Sequence, residues 1–256
     1  PASLGPHTVR LRPAAHMRGE LETYALHVDV EHRLQWQRDA LGNSAARVLF
    51  RPETLVPQIT FRVELVCNVH AVNPFDFVVD ERSTTMPFTY PDALKGDLAP
   101  FLRLDDAALR SGSLVEALSK DLPREGNTVS LLVELNRQVN ERVRYVIREE
   151  AGVYTPEETL THGQGSCRDS ALLLVRLLRE SGLAARFVSG YLVQLKDDGL
   201  LPDEKKGMSQ DVVDLHAWAE VYLPGAGWVG LDATSGLLCG EGHIPLVSTT
   251  SPELAA

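Results

Sequence analysis

The sequence GSCRDSALLLVRLLRESG occupies residues 165–182 and predicts a long helix that begins beside a cysteine. Ser166 and Asp169 stand three positions apart, which is the capping-box pattern of a helix N-terminus. Apolar residues follow at helical spacing and predict a buried stripe, while Arg176 is expected to face water; the stripe consists of Ala171, Leu174, Val175 and Leu178. Cys167 is therefore expected at the first position of this helix.

A cysteine at the start of a helix has the usual setting of an activated nucleophile. The free N–H groups and the positive end of the helix dipole both favour a thiolate at that position. The backbone amide of Cys167 is a natural donor to an oxyanion, and the side-chain amide of Gln164 is a second candidate, although Gln164 fits a plain turn equally well. The segment also fits an ordinary capped helix that carries a small apolar residue, so a nucleophile requires a base elsewhere.

His216 is the candidate base and Asp232 the candidate acid that orients it. In the stretch 214–222 apolar residues alternate with His216, which lies on the opposite face, and Asp232 ends the next predicted strand. If the two strands pair in an even register, His216 and Asp232 share a face, whereas an odd register separates them. The loop 224–227 permits either register, and each residue alone also fits a surface histidine or a strand-ending acid.

The chain divides into a β-rich first part and a second part in which helices precede strands. Residues 24–30 and 61–69 alternate apolar and polar side chains, and prolines interrupt the region at short intervals. We therefore predict an antiparallel β-sandwich over residues 1–105. For residues 106–256 we predict an α+β domain with helices at 114–122, from Val129 to Ile147, and from Thr155.

Four segments of the second part, taken together, resemble the core of the transglutaminase-like superfamily. They are Gly165-Ser166-Cys167, residues 185–191 (Ala-Arg-Phe-Val-Ser-Gly-Tyr), residues 216–221 (His-Ala-Trp-Ala-Glu-Val) and residues 227–232 (Gly-Trp-Val-Gly-Leu-Asp). Residues 32–36 and 73–77 similarly resemble the β-rich N-terminal region that bacterial members carry.

The resemblance implies a papain-like core with a catalytic triad. It makes Cys167 the nucleophile, His216 the base and Asp232 the orienting acid. The chain has Ala233-Thr234 where the family commonly has Pro-Thr, which leaves the turn looser but keeps the acid.

Composition limits the partners and the cellular location. Twenty-five basic and 35 acidic residues give a net charge of −10, which argues against nucleic acid or an anionic membrane surface as the main partner. No apolar run reaches the roughly 18 residues of a membrane span. Three cysteines and the lack of a signal-peptide pattern favour the cytoplasm. Cys239 and His243 lack a second ligand pair, so neither a metal nor another cofactor is expected.

These residues together predict a cysteine-dependent hydrolase of amide or peptide bonds that acts through a thioester. Acyl transfer to an amine, as in a transglutaminase, uses the same triad, but it needs a walled tunnel that no pattern in the sequence indicates. A non-catalytic binding module on the same fold is the third interpretation.

Trp218 and Tyr191 are candidate residues of the substrate cleft, and the charged stretch 196–206 is either a solvated loop or a cover of the cleft. The substrate and the oligomeric state stay open.

Overall fold

The computed structural model describes residues 2–104, 112–196 and 208–255. Its described residues form two compact units, one from Pro1–Ala71, Gly190–Leu215 and Glu241–Ser248, the other from Val72–Ser189, His216–Gly240 and Thr249–Ala256. The boundary predicted after residue 105 and nearly all of the charged stretch 196–206 lie outside the described residues. Among the helices that the structure describes, none has the length and apolar composition needed to cross a bilayer.

Antiparallel pairing dominates the first 71 residues. The strands are β1 (Ala2–Ser3), β2 (His7–Val9), β3 (Glu20–Val28), β4 (His32–Arg38), β5 (Ser44–Phe50), β6 (Leu55–Val56) and β7 (Phe61–Asn68). They form the sheets β1-β6, β2-β5-β4 and β3-β7, all antiparallel. The central strand β5 buries Ala45, Ala46 and Val48. The antiparallel prediction is confirmed for these first 71 residues, and the packing of their sheets as a sandwich stays a prediction. The predicted span 1–105 is not β structure throughout, because residues Asp92–Leu102 form a helix.

Five α-helices and nine further strands follow along the described chain. The helices are α1 (Asp92–Leu102), α2 (Leu114–Asp121), α3 (Thr128–Arg142), α4 (Pro156–His162) and α5 (Cys167–Glu180). The strands are β8 (Thr85–Met86), β9 (Gly126–Asn127), β10 (Arg144–Tyr145), β11 (Gln164–Gly165), β12 (Ala185–Gln194), β13 (Val212–Leu223), β14 (Gly227–Asp232), β15 (Leu237–Leu238) and β16 (His243–Thr249).

The sheet of the second unit has the strand order β15-β14-β13-β12. In the first unit the far end of β12 lies next to β16, and Val193 N–H donates to the carbonyl of Gly242 at 2.9 Å. The helices α2, α4 and α5 confirm the predictions for residues 114–122, 155 onward and 165–182.

Helix α5 is the centre of the second unit's core and is buried on more sides than its pattern predicted. It packs against α2, α3 and α4, and the side chains of Leu173 and Leu177, outside the predicted stripe, are fully buried. The prediction that Arg176 faces water is wrong. Its side chain is 7% exposed and donates to Glu180 at 2.8 Å, so the carboxylate replaces the water that the guanidinium lacks.

Helix α3 ends earlier than the sequence pattern suggested. It stops at Arg142, and Val143 already has extended backbone angles. Residues 144–145 then pair in parallel with Gln164–Gly165 as β10 and β11. The β-branched residues Val143 and Val146 therefore flank this short strand, where Val146 N–H donates to the Gly165 carbonyl at 2.9 Å, and an extended backbone suits their restricted side chains better than a helix does. Ile147 also lies outside the helix.

A buried ion pair joins three neighbouring strands of the sheet. Arg186 of β12 donates to the Glu220 carboxylate of β13 at 2.6 Å, and both side chains are largely buried. The same guanidinium lies over the ring of Trp228 from β14, 4.2 Å from its centroid. The interaction consequently fixes the lateral order of the strands that carry the candidate base and acid.

Removing one partner of this pair should destabilise the protein more than removing both. Glu220→Ala leaves the guanidinium of Arg186 buried without its carboxylate, and we expect the free energy of unfolding to fall by about 3 kcal/mol. The double variant Arg186→Met, Glu220→Leu should lose clearly less, because no buried charge is left unpaired. Urea unfolding followed by circular dichroism measures both. Equal losses of unfolding free energy in the two variants would show that an unpaired Arg186 guanidinium carries no extra penalty, which contradicts the prediction.

Candidate active site

Cys167 lies where β11 ends and α5 begins, and the buried carboxylate of Asp169 fixes this junction. Asp169 Oδ2 accepts hydrogen bonds from the backbone N–H of Ser166 at 2.7 Å and from its hydroxyl at 2.8 Å. A Cβ atom on Gly165 would come within 2.9 Å of the Asp169 Cβ, so only glycine fits there. The junction confirms the predicted capping box and places Cys167 at the first helical position.

The same carboxylate ties a neighbouring loop to the start of α5. Asp169 Oδ1 also accepts from the Arg148 guanidinium at 3.0 Å and from the backbone N–H of Tyr154 at 2.7 Å. Burial alone raises the pKa of Asp169, but the hydrogen bonds from Arg148, Ser166 and Tyr154 outweigh it and hold the pKa below its usual range. Both oxygens of the ionised Asp169 carboxylate thus accept hydrogen bonds.

The hairpin of β13 and β14 has the even register that a shared face requires. Ala219 pairs with Leu231 and Val221 with Val229, so even-numbered residues of both strands lie on one side. His216 and Asp232 are buried, and Asp232 Oδ2 lies 3.2 Å from His216 Nε2. The structure therefore brings the predicted base and acid together.

Thr234 completes the surroundings of the carboxylate, and sequence reasoning treated it only as a turn residue. Its backbone N–H and its hydroxyl both donate to Asp232 Oδ1, at 2.9 and 2.7 Å. The hydroxyl oxygen is also 3.3 Å from His216 Nε2. An aspartate side chain commonly accepts a hydrogen bond from the backbone N–H two residues later, so the contact between Asp232 and Thr234 N–H could have been predicted from the sequence.

His216 links the carboxylate to the cysteine. Because Nε2 faces Asp232, Nδ1 is the ring nitrogen left for the hydrogen bond between His216 and Cys167. Burial lowers the pKa of His216, but its hydrogen bonds to Asp232 and Cys167 and the charges of these groups outweigh burial and raise the pKa to about 9. An imidazolium at neutral pH stabilises a neighbouring thiolate.

The other predicted site residues have different surroundings. The side-chain carbonyl of Gln164 accepts a hydrogen bond from Arg144, and its role as an oxyanion donor stays a prediction. Trp218 is 1% exposed and packs with Val188 and Cys239, which is the position of a core residue rather than of an open cleft wall. Tyr191 belongs to the first unit, where its hydroxyl donates to the carbonyl of Leu11 at 3.2 Å, and its cleft role also stays a prediction.

A thiol next to an imidazole that is in turn held by a carboxylate can catalyse acyl transfer through a covalent intermediate. Cys167, His216 and Asp232 are also ligand types that zinc accepts. In the structure the imidazole and the carboxylate face each other at hydrogen-bonding distance, which is the contact that orients a histidine base for proton transfer.

Two stretches of the chain match known protein families. Residues 116–233 match the transglutaminase-like superfamily, and residues 1–67 match the bacterial transglutaminase-like N-terminal region. An uncharacterized protein of Mycobacterium tuberculosis is 31% identical over 162 residues, which are 60% of the chain and 49% of that protein. The chain thus spans about half the length of this relative.

A solved structure shares the fold of the chain. A candidate cysteine protease from Cytophaga hutchinsonii superposes with a TM-score of 0.71 at 20% sequence identity, covering 99% of this chain and 79% of that chain. The agreement at this identity establishes the fold. With a transglutaminase-like core at residues 116–233 and the bacterial transglutaminase-like N-terminal region at residues 1–67, the chain belongs to the transglutaminase-like superfamily.

Proposed function

We propose that the protein hydrolyses amide or peptide bonds with Cys167 as nucleophile, His216 as base and Asp232 as orienting acid. The observation that carries the proposal is the buried His216, whose Nε2 lies 3.2 Å from Asp232 Oδ2 and whose pKa its partners raise to about 9. A protonated imidazole beside a thiol at a helix N-terminus is the setting of a reactive thiolate.

The reaction follows from these positions. The Cys167 thiolate attacks the carbonyl carbon and forms a C–S bond, and the backbone N–H at the start of α5 stabilises the oxyanion. The His216 imidazolium then gives its proton to the leaving nitrogen as the C–N bond breaks, which leaves a thioester. Water attacks the thioester carbonyl carbon while His216 takes a proton from it, and the C–S bond then breaks, which releases the carboxylic acid and restores the Cys167 thiolate beside the imidazolium. Asp232 holds the imidazole in place throughout.

Acyl transfer to an amine is the second candidate activity, because it differs only in the group that attacks the thioester. We favour water, since it is the solvent and needs no binding site of its own. A peptide or protein amide is then the expected substrate, and cytoplasmic location stays a prediction from the sequence.

A non-catalytic binding module on the same fold is the rival from a different class. It is disfavoured by the geometry of the site, because the His216–Asp232 contact beside Cys167 is an arrangement that acyl transfer needs and that a binding module does not require. In a binding module, Cys167→Ala leaves partner binding intact and changes no measurable turnover. In the proposed enzyme, the same variant abolishes turnover.

The reactivity of Cys167 tests the proposed thiolate–imidazolium pair without a known substrate. At about pH 6.5 an ordinary thiol is almost wholly protonated, so we expect Cys167 to react with iodoacetamide at least about tenfold faster than Cys67 and Cys239. His216→Ala should abolish this advantage, so that Cys167 then reacts no faster than Cys239. Peptide mass mapping of the folded protein gives all three rates in one sample.

The two other cysteines are suitable internal controls. Cys239 is 8% exposed and Cys167 is 9% exposed, so access to the reagent is matched. Burial and the nearby Glu22 carboxylate raise the pKa of Cys67, which should therefore react slowly at this pH. Equal rates for Cys167 and Cys239 at low pH would contradict the proposed pair.

The acceptor can be identified with one mixed assay. We expect an unfolded protein substrate, incubated with the enzyme and a labelled primary amine, to be cleaved or deamidated without stable incorporation of the amine. Mass spectrometry separates these products, and Cys167→Ala is the matched control that should give none. Stable attachment of the amine to glutamine side chains would overturn the preference for hydrolysis and make the protein a transamidating enzyme.

A further inference from the structure

Two asparagines on α3 donate hydrogen bonds to the turn that follows Asp232. Asn136 Nδ2 donates to the backbone carbonyls of Asp232 at 3.3 Å and of Leu237 at 3.0 Å. Asn140 Nδ2 donates to the carbonyls of Ala233 at 3.1 Å and of Thr234 at 2.8 Å. The two asparagines are four positions apart and so share one face of the helix. Together, this asparagine pair fixes four carbonyls of a six-residue segment.

The turn itself is built to admit this contact. Gly236 N–H closes it by donating to the Asp232 carbonyl at 2.9 Å. Gly236 has a φ of +73°, and a Cβ atom there would lie 3.3 Å from the Asn140 Cγ. A side chain at position 236 would therefore both strain the backbone and push Asn140 away.

The buried side chain of Asn136 lowers the stability of the fold in a way that an apolar residue would not. It is fully buried, and its Oδ1 has no hydrogen-bond donor among the residues that the structure describes. A buried carbonyl oxygen without a donor destabilises a protein. A residue chosen only for packing would not have this defect, so the position is best explained by the two N–H donors that the amide supplies.

A continuous series of hydrogen bonds connects α3 with the imidazole. Asn140 holds the Thr234 carbonyl, and Thr234 donates twice to Asp232 Oδ1. The other oxygen of Asp232 then faces His216 Nε2. The direction of the carboxylate therefore depends on where the turn is held.

We propose that Asn136 and Asn140 are positioning residues of the active site, which hold Asp232 and Thr234 so that the carboxylate stays aimed at His216. The inference rests on the proposed function, because it concerns the same thiolate–imidazolium pair. Its specific claim is that α3 acts on the reactivity of Cys167 through Thr234, Asp232 and His216, and not merely on the stability of the fold.

Asn140→Ala is the principal test, because Asn140 is only half-buried and tolerates truncation better than Asn136. We expect the pKa of His216 to fall from about 9 towards its ordinary value, followed by NMR of the imidazole. Labelling of Cys167 by iodoacetamide at about pH 6.5 should slow by roughly fivefold relative to Cys239 in the same sample. Above about pH 9, where a free thiol ionises unaided, the variant and the parent protein should react equally fast.

Asn127→Ala is the matched control. Asn127 caps the same helix through a 3.0 Å hydrogen bond from Ser130 N–H and has no contact with the turn among its described hydrogen bonds. Losing this cap lowers the melting temperature without touching the site. We expect the control variant to keep the labelling profile and the His216 titration of the parent protein. Asn140→Ser provides a milder second variant if Asn140→Ala does not fold.

The outcomes separate the two proposals. If Cys167 of the parent protein reacts no faster than Cys239, the proposed function fails and this inference fails with it. If Cys167 is reactive and the Asn140 variants leave its profile and the His216 titration unchanged, only this inference fails. It also fails if Asn127→Ala changes them as much as the Asn140 variants do.

Discussion

The buried carboxylate of Asp169 is the constraint on which the position of Cys167 depends. A helix that begins inside a protein has N–H groups and a dipole end that water cannot solvate, and these need a negative partner. Asp169 provides it, and it also accepts hydrogen bonds from Arg148 and from the backbone of Tyr154. The carboxylate therefore locks α5 to the preceding loop. Cys167, two residues earlier in the chain, has little freedom to move.

The second half of the site depends on a different kind of constraint, the register of one hairpin. A slip of one residue between β13 and β14 would send the imidazole and the carboxylate to opposite faces of the sheet. The ion pair between Arg186 and Glu220, with Trp228 stacked on it, opposes such a slip because all three partners come from adjacent strands. The ion pair between Arg186 and Glu220 and the contact between His216 and Asp232 thus both depend on one register.

Local signals in the sequence predicted those features that a few neighbouring residues decide. Ser166 and Asp169 form the capping box that their spacing predicted, and α5 begins there. The helix predicted from Thr155 likewise begins at Pro156, and the structure shows that Thr155 and Glu158 form its cap. The identity of His216 and Asp232 followed equally from short motifs. Their meeting did not, because the loop at 224–227 is compatible with two registers and only the packing of the whole sheet selects one.

Features that depend on distant partners were beyond the reach of the sequence pattern. Arg176 has the spacing of a water-facing residue and is buried only because Glu180 neutralises it inside the core. Helix α3 was expected to continue to Ile147, but the backbone groups after Arg142 pair with β11, where they help to hold the segment before Cys167. In both cases a tertiary contact outweighed the local periodicity.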